Sequence, residues 1–386
     1  MDILYFDNAA TTWPKPPDIL QAMTRYQEEV GGSPGRSAHR LSIEAARIVY
    51  DTREAAADLF GIDDPFRIAF TKNATEGLNI AIQGLLKPGD HCITTGMEHN
   101  SVMRPLRAME ARGVTLSVVP CQTDGTLNPD DVEASIQPKT RLIVVIHASN
   151  ITGTLMPVQQ VGEIARRHGI PLLVDAAQTA GALPLNVETM NIDLLAFTGH
   201  KSLFGPQGTG GLYIRKGLDE KIAPLMMGGT GSRSEFEEQP DFMPDKYESG
   251  TQNAVGLAGL GAGIAFIRTQ GIKTIRQKEM ALTQAFLGGT GALKGVHLYG
   301  PEAPEKRTAV VSFNIDGMVP SETAMRLDED YGIMCRPGLH CAPLAHRTVG
   351  TFPQGTVRFS FGYYNTMDQV QQAVKAIEEI SRGVSR

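Results

Sequence analysis

The stretch Asp193-Leu-Leu-Ala-Phe-Thr198-Gly-His200-Lys201-Ser-Leu-Phe-Gly-Pro-Gln-Gly-Thr-Gly-Gly211 decides how the rest of the chain is read. An apolar run, Leu194 to Phe197, stops at Thr198-Gly-His-Lys201, and turn-forming glycines and a proline follow. A buried strand that ends this way puts a hydroxyl, an imidazole and an amine at the carboxyl edge of an α/β sheet, where ligands bind. A lysine in a partly desolvated pocket loses its proton more readily and can attack a carbonyl to form a Schiff base. A solvated loop lysine has the same local sequence, so Lys201 alone decides nothing.

A second stretch one βαβ step upstream, Pro171-Leu-Leu-Val-Asp175-Ala-Ala-Gln178, is another buried-strand pattern, and it ends in an acid. Taken singly, Asp175 reads as a helix N-cap. Taken with Lys201 it reads as half of a cofactor site. Pyridoxal phosphate needs a lysine for its aldehyde and a carboxylate that keeps its ring nitrogen protonated. Strand-end residues from successive strands can reach opposite ends of one ring.

Outward from this pair the chain has the period of a doubly wound sheet. Candidate strands are 67–71, 91–96, 115–120, 141–149, 171–177, 193–199 and 210–216, mostly apolar without clean alternation. That is the pattern of strands covered by helices on both faces. Intervening segments have helical spacing, as in Val158, Val161, Ile164 and Ala165, so a mainly parallel α/β domain is expected. Beyond it a helical segment, Leu257 to Ile267, leads into candidate strands 296–299, 309–315 and 356–362. A last helix opens with a capping box, Thr366-Met-Asp-Gln369, and aligns Val370, Ala373, Val374, Ile377 and Ile380. The expected organisation is a large α/β domain over 15–255 and a small α+β domain over 256–386, with segment 1–14 packing on the latter.

Composition narrows the function classes. A chain of 386 residues with 41% hydrophobic and 20% charged residues is an ordinary globular protein, and a net charge of −6 leaves no footprint for nucleic acid. No basic-then-apolar leader opens the sequence, and the strongest apolar run, Leu142 to Ile146, is too short to span a bilayer. Cys92, Cys121, Cys335 and Cys341 lack zinc-finger or Cys-x-x-Cys spacing, so neither a metal site nor a disulfide framework is expected, and a cytoplasmic location is.

Several further residues carry chemistry at strand ends. Thr75 opens a helix whose free N–H groups form an anion site, and Thr198 and His200 add donors, so one phosphate held by all three is economical; an ordinary N-cap is the alternative. His99 follows a strand and could lie on a pyridine ring, or simply cap a helix. Arg36, His39 and Arg40 sit in a glycine-rich loop that would line an anionic pocket or face solvent. Arg358 lies within an apolar strand and needs a partner, either an internal acid or the carboxylate of an amino acid. Cys341, in Arg336-Pro-Gly-Leu-His340-Cys341-Ala-Pro, would be a buried structural thiol or a nucleophile whose thiolate Arg336 and His340 favour.

Together these pieces resemble the fold-type I pyridoxal-phosphate enzymes of the class V aminotransferase family, and within it the cysteine desulfurase and selenocysteine lyase branch. The matching segments run from Tyr5-Phe-Asp-Asn-Ala-Ala-Thr-Thr12 to Arg358-Phe-Ser-Phe-Gly-Tyr-Tyr-Asn365, with Thr198–Lys201 and Arg336–Pro343 the most specific. The resemblance implies that Lys201 holds pyridoxal phosphate and moves the substrate proton, with His99 stacking on the ring and assisting. It implies that Asp175 meets the ring nitrogen, and that Asn150 and Gln178 meet the phenolic oxygen, Asn150 serving the substrate carboxylate as well. The phosphate falls to Ala74, Thr75, Thr198 and His200, and Thr251 reaches that of a neighbouring subunit in a homodimer with composite sites. His39, Arg336 and Arg358 face the substrate. Cys341 would take sulfur from L-cysteine as a persulfide, releasing L-alanine.

The short separation of Cys341 from Arg358 resembles the second type of desulfurase, which hands its sulfur to an acceptor protein or reductant. Ala74 stands where relatives have a threonine, and Leu339 where they often have histidine. Selenocysteine lyase activity on L-selenocysteine, another class V reaction such as transamination or epimerisation, and a non-catalytic sulfur-transfer scaffold are the alternatives.

Overall fold

The computed structural model describes residues 3–35 and 37–384, so Arg36 of the glycine-rich loop lies outside the described residues. Its strands, in chain order, are β1 (Leu4–Tyr5), β2 (Ile68–Thr71), β3 (His91–Thr95), β4 (Thr115–Val119), β5 (Thr140–Ile146), β6 (Leu172–Asp175), β7 (Leu194–Thr198), β8 (Gly210–Ile214), β9 (Val296–Tyr299), β10 (Val310–Ile315), β11 (Ile333–Met334), β12 (Arg336–Gly338) and β13 (Thr356–Ser360).

Seven of them form one sheet in the order β2-β8-β7-β6-β5-β3-β4. Neighbours from β4 to β7 pair parallel, and β8 pairs antiparallel with both β7 and β2. Period-2 geometry explains the continuous apolar runs. In β5, Ile143 and Val145 enter the core on one face while Leu142 and Val144 enter the core on the other. The strands begin and end within three residues of the expected bounds. The longest trimming is at the C-terminal end of β5, where the chain leaves the ladder after His147 and runs through Ala148 to Asn150 toward the site.

Close approach at one glycine sets the helix after β2. A Cβ on Gly210 would sit 2.8 Å from Asn73 Cα, so only glycine lets the start of helix Ala74–Leu85 press against β8.

The smaller unit has the antiparallel sheet β12-β13-β10-β9 and the parallel pair β1-β11. Its core is aromatic: Phe6, Phe286 and Phe313 surround Phe359 with ring centroids 5.1–5.2 Å from it for Phe6, Phe286 and Phe313 alike. Each buried Phe contributes roughly 1.5–3 kcal/mol. β11 and β12 were absent from the sequence reading because two or three residues around Cys335 and Pro337 carry no readable period. The capping box of the last helix forms as expected: Gln369 N–H donates to Thr366 Oγ1 (3.3 Å) and Thr366 N–H to Gln369 Oε1 (3.2 Å).

The expected boundary at 255/256 needs moving. It falls inside helix Ala254–Gln270, whose Leu257, Leu260, Ile264 and Ile267 are buried in the core of the large sheet. The helix ends at Gly271, and the next, Ile272–Thr290, sends Leu282 and Phe286 into the small core. Ile275 of this second helix still belongs to the large core, so the packing changes over within it, between Ile275 and Leu282. Among the described residues no single helix is long and apolar enough to cross a membrane.

Candidate active site

The carboxyl ends of β3, β5, β6 and β7 and the β12 turn of the small unit present the residues singled out above. Lys201, three residues past the end of β7, is partly buried, and burial pushes its amine down to about 8. Arg358 and Arg336 push in the same direction, and Asp175 and Asp7 oppose it. Its backbone is clamped from the N-terminal segment. Thr12 Oγ1 donates to the Lys201 carbonyl (2.8 Å), and the His200 carbonyl accepts from Thr12 N–H (3.1 Å), Thr11 Oγ1 (3.1 Å) and Lys15 Nζ (3.2 Å).

Asp175 ends β6 with 2% of its surface exposed. Burial raises its carboxyl, while the Ala177 N–H on Oδ1 (2.9 Å) and the charge of Lys201 pull it back. His99 is an N-cap as well as a site residue: its Nδ1 accepts Ser101 N–H at 3.0 Å. Burial, then Lys201, Arg336, Arg358 and Arg104, push it down to about 3, so the ring is neutral. With Nδ1 accepting a backbone donor, the ring proton sits on Nε2. Ser101 Oγ also lies 2.9 Å from Nδ1 and 2.8 Å from Thr75 Oγ1, which links the imidazole to the helix start expected to hold an anion.

Buried atoms without partners mark where a ligand fits. Thr198 Oγ1, His200 Nδ1, Asn150 Oδ1 and Arg358 Nε are buried and unsatisfied. The first-turn N–H groups of Ala74 and Thr75 find no acceptor among the described residues either. His200, pushed down to about 4 by burial and by Lys201 and Lys15, is neutral and can donate from one ring nitrogen. Such groups are costly to bury empty, and hydroxyl, imidazole and helix-start N–H groups suit a phosphate. The donor set fits a phosphorylated cofactor.

The cysteine lies on a separate wall. β12 ends at Gly338, and His340 (φ 50°) and Cys341 (φ 57°) are consecutive left-handed residues. For non-glycine residues this conformation is costly and persists where surroundings over-determine it. Here Asn100 N–H donates to the Cys341 carbonyl (2.8 Å), Asn150 Nδ2 to the His340 carbonyl (2.8 Å), and Ala342 N–H to the Leu339 carbonyl (2.9 Å). The Cys341 thiol is exposed, 3.8 Å from Arg336 Nη2.

A family model, Aminotransferase class-V, matches residues 4–373. The chain belongs to that family. It is 37% identical to a probable cysteine desulfurase of Methanothermobacter thermautotrophicus, covering 98% of this chain and 95% of that one. A cysteine desulfurase of Escherichia coli is 31% identical over 99% and 94% of the two chains. Among solved structures, an apo cysteine desulfurase from Thermococcus onnurineus superposes with a TM-score of 0.93 at 36% identity, covering 99% of this chain and 95% of that one.

Within this class V site one expectation needs amending, and two further residues are already partly engaged. His340 does not supply positive charge to the thiol. Its Nε2 bonds to the Arg336 carbonyl (2.9 Å), its Nδ1 faces His346 Nε2 (3.4 Å), and burial pushes it down to about 2. Arg336 is the cation that reaches the sulfur. Arg358 already has an internal acid: Nη2 donates to Asp7 Oδ1 (2.7 Å) and Nη1 to the Asn150 carbonyl (3.0 Å), leaving Nε and the second N–H of each terminal nitrogen. Gln178 spends one amide N–H on the Ala9 carbonyl (3.1 Å).

Two residues stand apart from the cluster. His39 is exposed and its ring accepts Ser42 N–H (3.2 Å) as the N-cap of helix Arg40–Phe60. Thr251 is exposed in a surface groove with Lys72 and Glu76. Cys335, partly buried, has its thiol pushed up by burial, in keeping with a structural role. The sequence reading assigns no role to Asp7, Thr11, Thr12, Lys15 or Ser101, although the resemblance sets the opening motif, Asp7 to Thr12, close to the active site. The first four lie in or beside a polar turn with no local signal of long-range contact, whereas Ser101 was legible as the second residue after a capping histidine.

Proposed function

We propose that this chain is a pyridoxal-phosphate-dependent cysteine desulfurase that converts L-cysteine to L-alanine and takes the sulfur on Cys341. The observation that carries this reading is the Asn100–Cys341 backbone bond, which ties an exposed thiol to the residue beside His99. Arg336 is common to both groups: it lies against the thiol and acts electrostatically on Lys201 and His99. The names of the relatives support the same reading.

Lys201 would hold the cofactor aldehyde, Asp175 its ring nitrogen, Thr75, Thr198, His200 and the Ala74 N–H its phosphate, and Asn150 and Gln178 its phenolic oxygen. When bound, the cofactor supplies an electron sink for negative charge on the substrate α-carbon. Every other step belongs to the protein. Arg358 offers Nε and its remaining N–H groups to the substrate carboxylate. Lys201, tuned near neutrality by burial, can accept and return the α-proton as a general base. His99, neutral with its proton on Nε2, can lie against a ring without adding charge. The Cys341 thiolate, beside Arg336, attacks the substrate sulfur; an S–S bond forms as the C–S bond breaks, and alanine departs.

Exposure of Thr251 and His39 supports a homodimer in which each completes the partner's site. Exposure of Cys341 supports delivery of its sulfur to an acceptor protein, and four free thiols support a reducing, cytoplasmic setting. The test is direct. Protein incubated with pyridoxal phosphate, reduced with borohydride and digested should carry the cofactor on the Lys201 peptide. A label on another lysine, or none, would overturn the cofactor assignment.

A further inference from the structure

Glu98 is a fully buried carboxyl group that the mechanism above does not use. Its position is specific. The ladder between β3 and β5 runs as far as Ile93 and Ile143, and beyond that point side chains take over. Thr94 Oγ1 donates to the Val144 carbonyl (3.1 Å), and Glu98 Oε1 accepts both Ile146 N–H (2.9 Å) and Thr95 Oγ1–H (2.7 Å). Thr95 and Ile146 are the last residues of their strands. One oxygen thus joins the two strand ends.

Both strand ends lead to the proposed cofactor site. Ile146 is in register with Asp175, and the next residue, His147, donates its N–H to the Asp175 carbonyl (2.9 Å). On the other side, Glu98 immediately precedes His99, whose ring caps the following helix. The titratable groups facing Glu98 are Asp175 from β6, Cys92 from β3 and Cys121 from the segment after β4. No cation is among them, and Oε2 is buried without a partner. An ionised carboxylate so placed would have the two hydrogen bonds to Oε1 but no cation to offset its burial, and would repel Asp175, which must be charged to serve a ring nitrogen. Burial accordingly pushes Glu98 up to about 8.

We propose that Glu98 is a positioning residue, a neutral carboxylic acid that bolts the ends of β3 and β5 together and so fixes His99, which follows it, and the end of β5 against which Asp175 of β6 pairs. The role of those two residues rests on the cofactor reading; the protonation of Glu98 does not. In the folded chain Glu98 keeps a proton that the unfolded chain releases near the ordinary glutamate value. Its contribution to stability is therefore present at low pH and lost as pH rises toward about 8. Glu98→Gln keeps the acceptor and the neutral charge and lacks that loss.

The experiment compares wild type, Glu98→Gln and Glu98→Leu. Urea unfolding of the cofactor-free proteins between acidic pH and about 8 should show Glu98→Gln gaining on wild type as pH rises, by on the order of a thousandfold in the folding equilibrium. Titration with pyridoxal phosphate, followed by absorbance, should leave Glu98→Gln unchanged and weaken Glu98→Leu about tenfold, as for other outer supports of a site. A pH-independent difference between Glu98→Gln and wild type would overturn the neutral acid. Equal loss of cofactor affinity in both variants would show that a carboxylate charge is required, and undiminished affinity in Glu98→Leu would remove the positioning role. If Glu98→Leu does not fold, the Glu98→Gln comparison decides alone. A wild type that binds no cofactor would sink the cofactor reading and leave the unfolding comparison intact.

Discussion

The lysine and the cysteine of this site are presented by opposite means. Lys201 follows a buried strand, and its chemistry is set by what covers it: burial lowers its proton affinity more than any single neighbour does. Cys341 is exposed, on a turn held in left-handed geometry by backbone bonds to Asn100 and through Asn150, with one guanidinium at its sulfur. The difference teaches that a sheet edge tunes a group by desolvation and a loop does so by conformation and exposure. It also suits the tasks: the lysine must stay inside, and the sulfur must leave.

The largest expected effect is on the buried side. Lys201→Ala should lower alanine production from L-cysteine by at least about a thousandfold, as loss of a proton-transferring group does, and should not be labelled by borohydride. Cys341→Ala should break the other side alone, keeping cofactor absorbance while losing enzyme-bound sulfane sulfur. If the cysteine variant also lost the cofactor, the two walls would be one structural unit and the contrast would fail.

Arg358 sharpens the comparison because it belongs to both walls. Arg358→Ala removes a charge-assisted contact worth about 1.5–3 kcal/mol and should raise the KM for L-cysteine by roughly ten- to a hundredfold. An unchanged KM in steady-state assays would mean that Asp7 already saturates the guanidinium. A smaller effect is in the pH dependence of cofactor uptake. The neutral amine is the nucleophile, and burial pushes the Lys201 amine down to about 8, so the rate of pyridoxal phosphate uptake should climb with pH below that value and level off above it. A plateau reached only near the ordinary lysine value would contradict the desolvated pocket. The smallest effect lies far from both walls: Thr366→Ala removes the cap of the last helix and should cost about 1 kcal/mol in chemical denaturation.

How much of this was legible in the sequence follows the same division. The sheet was readable because β5 to β8 are apolar on both faces and bounded by turn formers, and because Asp175 and Thr198–Lys201 sit at strand ends. The class V resemblance then supplied roles for His99, Asn150 and Cys341. Contacts between remote segments were not legible. Asp7 on Arg358, and Thr11, Thr12 and Lys15 on the lysine turn, depend on where residues 4–15 cross the sheet, which no local pattern encodes. The charge of His340 was misjudged for a related reason. Proximity in sequence to Cys341 suggested a cation, while burial against His346 makes the ring neutral. The lobe boundary slipped because helix Ala254–Gln270 is apolar nearly all round, and composition does not say which core it enters.

Mass analysis of the Cys341 peptide after a single exposure to L-cysteine, with alanine counted in parallel, tests the central claim most directly. The account predicts one added sulfur on Cys341 for each alanine released in the absence of a reductant. Alanine formed at full rate by the Cys341→Ala variant, with no sulfur on the wild-type peptide, would contradict it.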